Sequence, residues 1–289
     1  MPVLECQPLH DDFGARVTGV DLRDLPSAPV IEEILAAIDR YSFLVFPGRP
    51  LSDDQHMAFT HAIGEPEINH VVLARTGKPE HFHTVGNVQD DGTKVGAEHE
   101  RTKFQKGNNL WHSDASFREV PVFISITSAH ETPDEGGETL FASGRAAYGR
   151  LDDATKAELD PLIGIHDYVY SRSKAAPEAA KKGFPDILPP VRQRLVRRNP
   201  NTAEKNLYIG SHVREIEGRT TEASRPLLDG LIEQTTRPEH VHAHAWKTGD
   251  LVIWDNRCLI HRGAGYDADK YRRRMRQTRI RGTASTLDE

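Results

Sequence analysis

The sequence predicts a mainly β fold with α-helical insertions, a β-sandwich or jelly roll, and three observations carry that prediction. Short apolar runs of strand length recur between turn residues, most densely in the C-terminal third. Helical periodicity is confined to a few separate segments. Neither the alternating βα rhythm nor the Gly-rich phosphate loop of a dinucleotide-binding fold occurs.

Taken in order, the chain opens with punctuation at Pro26 to Pro29. A helical pattern follows, with Val30, Ile31, Ile34, Leu35 and Ile38 three and four residues apart. Ser42 to Phe46 reads as an apolar strand. Ser52-Asp53-Asp54-Gln55 has the spacing of a capping box and opens a second helix that ends at Gly64. Residues 65–109 are polar, Gly-punctuated and irregular, and a loop of that length in a compact domain suggests a lid over a site. Leu110 to Ser116 and Val122 to Ala129 read as strands joined by a turn at Glu119-Val120-Pro121. Gly136-Gly137 precedes a strand over Glu138 to Ala142, and residues 144–162 carry short helical patterns. Ala175 to Pro190 is a polar loop insertion. Thr221 to Thr236 is an amphipathic helix on Ala223, Leu227, Leu228, Leu231 and Ile232. Strands return at His240 to Trp246, Asp250 to Trp254 and Arg273 to Arg281, and one domain spanning residues 1–289 accounts for the whole.

Composition excludes several classes of function. With 37 Lys and Arg against 43 Asp and Glu the formal charge is −6, which disfavours wholesale nucleic-acid binding. No run approaches the roughly 18 apolar residues of a membrane span, and the N-terminal residues lack a basic segment followed by an apolar one. Cys6 and Cys258 form no CxxC pattern, so neither a disulfide framework nor a structural zinc site is expected. A cytoplasmic protein acting on a small molecule, with no nucleic-acid or membrane partner, fits these features; homo-oligomer formation stays open.

The chemistry begins at Trp111-His112-Ser113-Asp114. On a strand, side chains two apart share a face, so an imidazole and a carboxylate would point the same way. Apolar neighbours Leu110, Trp111 and Phe117 make unpaired ionisable groups costly there, and metal ligation would explain both at once. A second imidazole would complete a two-His, one-carboxylate triad that leaves coordination positions open. The third ligand must come from 15 histidines. His261 lies just beyond the apolar run ending at Trp254. The rival cluster His240-Val241-His242-Ala243-His244 reads as a solvated strand face, as does His81-Phe82-His83.

The whole pattern resembles the family of taurine dioxygenase and the phenoxyacetate-herbicide dioxygenases, over about residues 5–282. The residues that carry the likeness are His112-Ser113-Asp114, then Gly136-Gly137-Glu138-Thr139-Leu140, then His261, then the basic run Arg272-Arg273-Arg274-Met275-Arg276. Leu207-Tyr208-Ile209-Gly210-Ser211-His212 and Gly249-Asp250-Leu251-Val252-Ile253-Trp254-Asp255-Asn256-Arg257 add to it. The resemblance implies a double-stranded β-helix (jelly roll) core flanked by helices. It also implies Fe(II) on His112, Asp114 and His261, with 2-oxoglutarate and O₂ as co-substrates. Thr139 and an arginine would hold the distal carboxylate of 2-oxoglutarate, since a guanidinium offers a planar two-pronged donor. Anchoring on Met275 selects Arg273; counting from His261 without a gap selects Arg272.

By the same resemblance Asn69, His70 and Asn108 fall at substrate-contacting positions, and His212, which follows a strand, could reach an anionic group. The family often has a second arginine four residues after the first, where this chain has Gln277, so an anionic substrate would need His70, His212 or Arg276 instead. The implied reaction is hydroxylation of a small organic acid such as an aryloxyalkanoate, with cleavage where the carbon adjoins an ether oxygen, and release of succinate and CO₂. An amino-acid or secondary-metabolite hydroxylase is the alternative within the class. Outside it stand a non-catalytic metal- or carboxylate-binding β-barrel and a zinc hydrolase built on His240, His242 and His244.

Overall fold

The computed structural model describes residues 3–69, 72–73, 76–177 and 188–289. Its centre is a pair of facing sheets. The larger has seven strands in the order β1-β2-β3-β13-β5-β15-β4: β1 Glu5–Pro8, β2 Ala15–Thr18, β3 Phe43–Phe46, β13 Leu251–Asp255, β5 Val122–Glu131, β15 Arg274–Arg281 and β4 His83–Gly86. All its pairings are antiparallel except β2 with β3. The smaller sheet has the order β12-β6-β14, from Val241–His244, Thr139–Ser143 and Leu259–Gly263, and is antiparallel throughout. Two further small sheets, β11-β7-β8 (Val213–Ile216, Ile163–His166, Val191–Arg194) and β10-β9 (Lys205–Leu207, Val196–Arg198), flank it.

Alternation along the strands assigns each residue to a layer. Phe43, Val45, Val252, Trp254, Ala129 and Met275 of the large sheet meet Phe141 and Leu259 of the small one, forming the inner core. The alternate residues Leu44, Phe46, Leu251, Ile253, Ile124, Ile126 and Ile280 face outward onto Ile31, Ile34, Ile38, Phe59 and Ile63. Those belong to helices α1 (Ala28–Tyr41) and α2 (Asp53–Ile63). Because both faces are covered, β3 reads Phe-Leu-Val-Phe with no polar residue. The capping box at Ser52 is formed in both directions: Gln55 N donates to Ser52 Oγ at 3.2 Å and Ser52 N to Gln55 Oε1 at 3.0 Å.

The small sheet's outer residues, Ala142 and Ile260, join a second core with Leu195, Leu207, Ile209, Val213, Leu228 and Leu231. Helices α3 (Glu100–Gln105), α4 (Gly144–Gly149), α5 (Asp153–Leu159), α6 (Tyr168–Ser173) and α7 (Thr221–Thr235) complete the described elements. No helix of the described residues is long and apolar enough to cross a membrane.

Three expectations need correction. Leu110 to Ser116 is no strand: His112 makes a single antiparallel bridge to His261, and Asp114 to Phe117 turn at once, with Ala115 at φ 49°. The expected strand at His240 to Trp246 spans only Val241–His244, because Pro238 starts a 3₁₀ turn that takes His240. Residues 65–109 contain β4, α3 and a 3₁₀ turn at Lys106–Asn109, because His83–Gly86 finds the open edge of β15. Most of the insertion at 175–190 lies outside the described residues.

Candidate active site

His261 sits in β14 opposite Phe141 of β6, and Thr139 lies two residues before Phe141, so all three face the interior between the sheets. The bridge to His112 is doubly bonded, His112 N to His261 O at 3.0 Å and His261 N to His112 O at 2.8 Å. The paired backbones bring the two rings to 4.3 Å between centroids. The left-handed Ala115 then turns the chain so that Asp114 faces them. His112 Nε2 is 3.8 Å from Asp114 Oδ1, and His261 Nε2 is 3.8 Å from Asp114 Oδ2. Three ligand-capable atoms thus lie within 4.8 Å of one another, and no other such group occurs among the described residues.

The neighbours of this group leave it suited to a cation. His112 Nδ1 donates to the Leu110 carbonyl at 2.7 Å, which leaves the Nε2 lone pair free. Burial lowers the His112 imidazole, and it lowers that of His261 to about 3, with the nearby His112 adding to the effect. Both rings are therefore neutral, as ligands must be. Burial alone would raise the Asp114 carboxyl, but the Arg279 guanidinium, the two imidazoles and the Ser125 hydroxyl together hold it well below the usual carboxylate range. Ser125 Oγ donates to Oδ2 at 2.7 Å and Arg279 Nη2 to Oδ1 at 2.7 Å. Asn256 accepts from Asp114 N at 3.1 Å and is itself held by Trp254 Nε1 at 3.1 Å.

The group opens into a cavity of about 970 Å³ whose walls include Thr139, Arg273, Asn69, Asn108, His212, Arg276 and Gln277. Arg273 is buried; its Nη2 reaches only the Gly137 carbonyl, at 3.4 Å, and its Nε has no partner. Burial pushes its guanidinium down to about 10 against the opposing influence of Tyr266. Thr139 Oγ1 accepts from Trp246 Nε1 at 2.9 Å, which leaves its own O–H to donate elsewhere. A buried cation without a carboxylate, beside a free hydroxyl, is a receptor for a carboxylate. Arg272 is not part of it: its guanidinium lies outside the cavity, on Glu131 and the Gly92 carbonyl.

The other sequence candidates fare differently. Arg276 lies on the outer face of β15, and its Nε and Nη2 grip Asp53 of α2 at 3.0 and 2.6 Å, so its charge is spent. Gln277 points inward and brings Nε2 to 3.4 Å from Asp114 Oδ2. Asn69 is a loop staple, donating to the Phe82 carbonyl at 2.9 Å and accepting from Val72 N at 3.2 Å. Asn108 accepts from Arg172 Nη2 at 2.8 Å. His212 is buried, its ring 5.9 Å from that of His112. His70 lies outside the described residues. Nor is the 240–244 cluster a solvated face: His244 is buried 3.2 Å from Asp250, and His242 packs edge-on against Phe13.

Four contributors escaped the sequence reading. Arg279 carried a signal, since it shares the inward face of β15 with Gln277 two residues before it. Trp246, Ser125 and Arg172 carried none, because their relation to the site exists only once the sheets pack.

Comparison with known proteins agrees with this geometry. The family model described as taurine catabolism dioxygenase TauD, TfdA family matches residues 5–279. An α-ketoglutarate-dependent 2,4-dichlorophenoxyacetate dioxygenase of Cupriavidus pinatubonensis is 36% identical over 287 residues, covering 98% of this chain and 97% of its own. An (S)-phenoxypropionate/α-ketoglutarate dioxygenase of Sphingobium herbicidovorans is 36% identical over 288 residues, covering 97% and 96%. A crystal structure of AAD-2 in complex with Mn(II) and N-oxalylglycine superposes with a TM-score of 0.90 at 36% identity, over 99% of both chains. The expected jelly-roll core and the expected cofactor set of iron and 2-oxoglutarate agree with these relatives, and the chain belongs to the TauD, TfdA family of 2-oxoglutarate-dependent dioxygenases.

Proposed function

We propose that this dioxygenase oxidises an aryloxyalkanoate, with Fe(II) held by His112, Asp114 and His261 and 2-oxoglutarate held by Arg273 and Thr139. The observation that carries the reading is the shared cavity: the three ligand-capable side chains and the Arg273 guanidinium, whose Nε has no partner among the described residues, line one space of about 970 Å³. The donor set is the two-His, one-carboxylate kind that leaves sites for a chelating co-substrate and O₂. The relatives named for phenoxyacetate and phenoxypropionate substrates support the substrate class.

When bound, Fe(II) supplies the activation of O₂ that couples decarboxylation of 2-oxoglutarate, to succinate and CO₂, with insertion of one oxygen atom into a substrate C–H bond. The chain's own residues do the positioning. Leu110 fixes the His112 tautomer, and Ser125 and Arg279 fix the rotation of the Asp114 carboxylate. Trp246 occupies a Thr139 lone pair, so the Thr139 hydroxyl and the Arg273 fork converge on one distal carboxylate. Phe141 and Trp254, with ring centroids 5.7 and 5.0 Å from that of His261, keep water from that side. Hydroxylation of the carbon next to the ether oxygen gives a hemiacetal; its C–O bond then breaks, the phenol leaving with the hydroxyl proton as the carbonyl forms.

The test is substrate-dependent succinate release under Fe(II), ascorbate, 2-oxoglutarate and O₂, with phenoxyacetates and phenoxypropionates beside a panel of amino acids. Phenol should appear in equal amount with succinate from the phenoxyacetates. Turnover of the amino acids alone would overturn the substrate assignment.

A further inference from the structure

An acidic substrate needs a counter-charge, and the cavity's cations are unequally committed. Arg276 is closed by Asp53 and Arg279 by Asp114, and Arg273 lies beside Thr139. Arg172, on α6, faces the same cavity; among the described residues its side chain makes one hydrogen bond, to Asn108, and its Nε and Nη1 are buried without a partner. Resting on the reading above, we infer that Arg172 is the clamp for the substrate's carboxylate, with the ring of His212 beside it.

The surroundings of Arg172 are those of a fixed receptor. Its Cζ lies 5.3 Å from the ring centroids of both Phe104 and Tyr168, which hold the guanidinium plane. Space for it is made by Gly107, where a Cβ would fall 2.2 Å from Nη1. The route to the metal ligands is a run of rings: Tyr168 stacks on His212 with centroids 6.2 Å apart, and His212 meets His112 edge-on at 5.9 Å. His212 Nδ1 is buried with no partner.

A carboxylate on Arg172 would leave the carbon next to it facing His112. It would also give Nε the acceptor it lacks and share Nη2 with Asn108, as the planar two-pronged pairing of a guanidinium edge. This clamp is built on α6 and not on β15, so Gln277 in place of the strand's second arginine leaves the chain able to hold an anion.

The experiment compares two isosteric probes, phenoxyacetate and phenoxyacetamide, by calorimetric titration into protein loaded with Mn(II) and 2-oxoglutarate. Arg172→Gln should weaken phenoxyacetate by ~30-fold or more and phenoxyacetamide by less than ~3-fold, within the spread of a lost neutral contact. Arg172→Lys, keeping the charge without the fork, should fall between. The 2-oxoglutarate dissociation constant should stay within ~2-fold in both variants, which separates a lost clamp from a damaged site. Equal losses for acid and amide, or no loss for either, overturn the clamp. If the wild-type protein turns over aryloxyalkanoates while Arg172→Gln keeps its affinity for them, the clamp alone is overturned. If the wild type neither binds nor turns over any of them, the substrate reading falls as well.

Discussion

Arg279 Nη2 donates to Asp114 Oδ1 at 2.7 Å, with side-chain exposures of 16% and 6%, so the metal-competent carboxylate already carries a cation on one oxygen. Breaking a buried pair leaves an uncompensated charge, at a cost on the order of 3–5 kcal/mol. Arg279→Gln should therefore lower the Tm of the metal-free protein by several degrees. A bound divalent cation would restore most of the lost neutralisation, so the gain in Tm on adding Mn(II) should be larger in the variant than in the wild type. Thermal melts with and without Mn(II) decide it, and equal gains in both proteins contradict the shared role of arginine and metal on Asp114.

The assignment of the distal carboxylate rests on two adjacent arginines just before β15 whose side chains go to opposite sides. Arg273 is buried against the Gly137 carbonyl, two residues before Thr139, whereas Arg272 lies on Glu131 at the surface. Removing one partner of a desolvated, charge-assisted pair costs about 2–5 kcal/mol. Arg273→Ala should raise the KM for 2-oxoglutarate by at least ~30-fold, and Arg272→Ala should leave it within ~3-fold, as an exposed pair contributes little. The reverse result would mean that the strand register differs in solution.

Much of this site was legible before any fold was available, and the reasons are local. His112 and Asp114 announce themselves as ionisable groups in an apolar context, and the two-residue pleat of β15 sends Met275 and Gln277 to the side on which Arg273, just before the strand, is buried. What the sequence does not carry is how loops approach the sheets. His112 and Asp114 share a site because a single bridge and a left-handed Ala115 bring them round, not because they lie on one strand. Arg276 looked available and is not, since its partner Asp53 is more than two hundred residues away. The histidines at 240–244 looked solvated because an alternating polar strand does not reveal that Phe13 and Phe43 cover one side of it.

The bridge at His112 depends on a close backbone approach. Gly210 has φ 137°, and a Cβ there would lie 3.0 Å from both His112 Cα and the Trp111 carbonyl oxygen. An alanine is strained by its own backbone and pushes against the residue that presents the first imidazole. Gly210→Ala should weaken Mn(II) binding by tenfold or more, on the order of 1.4 kcal/mol, while far-ultraviolet circular dichroism stays that of a folded protein. Unchanged Mn(II) affinity would show that the site tolerates a shift of the 111–112 backbone.

Buried neutral histidines set the pH dependence of stability. Burial lowers His56, His166 and His261 to about 3 and His242 to about 4, against an ordinary value of 6.5. Below pH 6.5 the unfolded chain binds protons at these positions and the folded chain does not. Stability is therefore fully present above pH 6.5 and declines as pH falls towards 4, by about 1.4 kcal/mol per group and pH unit at most. Loss of ionised Asp114, whose carboxyl lies below its usual range, belongs to a lower window and does not blur this one. His166 isolates the effect, because it lies away from the metal-competent group, accepts or donates only to Ser116 Oγ at 3.0 Å and stacks on Tyr208 at 5.3 Å. Phenylalanine keeps the ring and cannot titrate. Urea unfolding of metal-free wild type and His166→Phe between pH 7.5 and 5 should give a shallower pH slope in the variant, by about one proton. Parallel slopes would mean that His166 takes up its proton in the folded state as readily as in the unfolded one, and that burial does not hold it neutral.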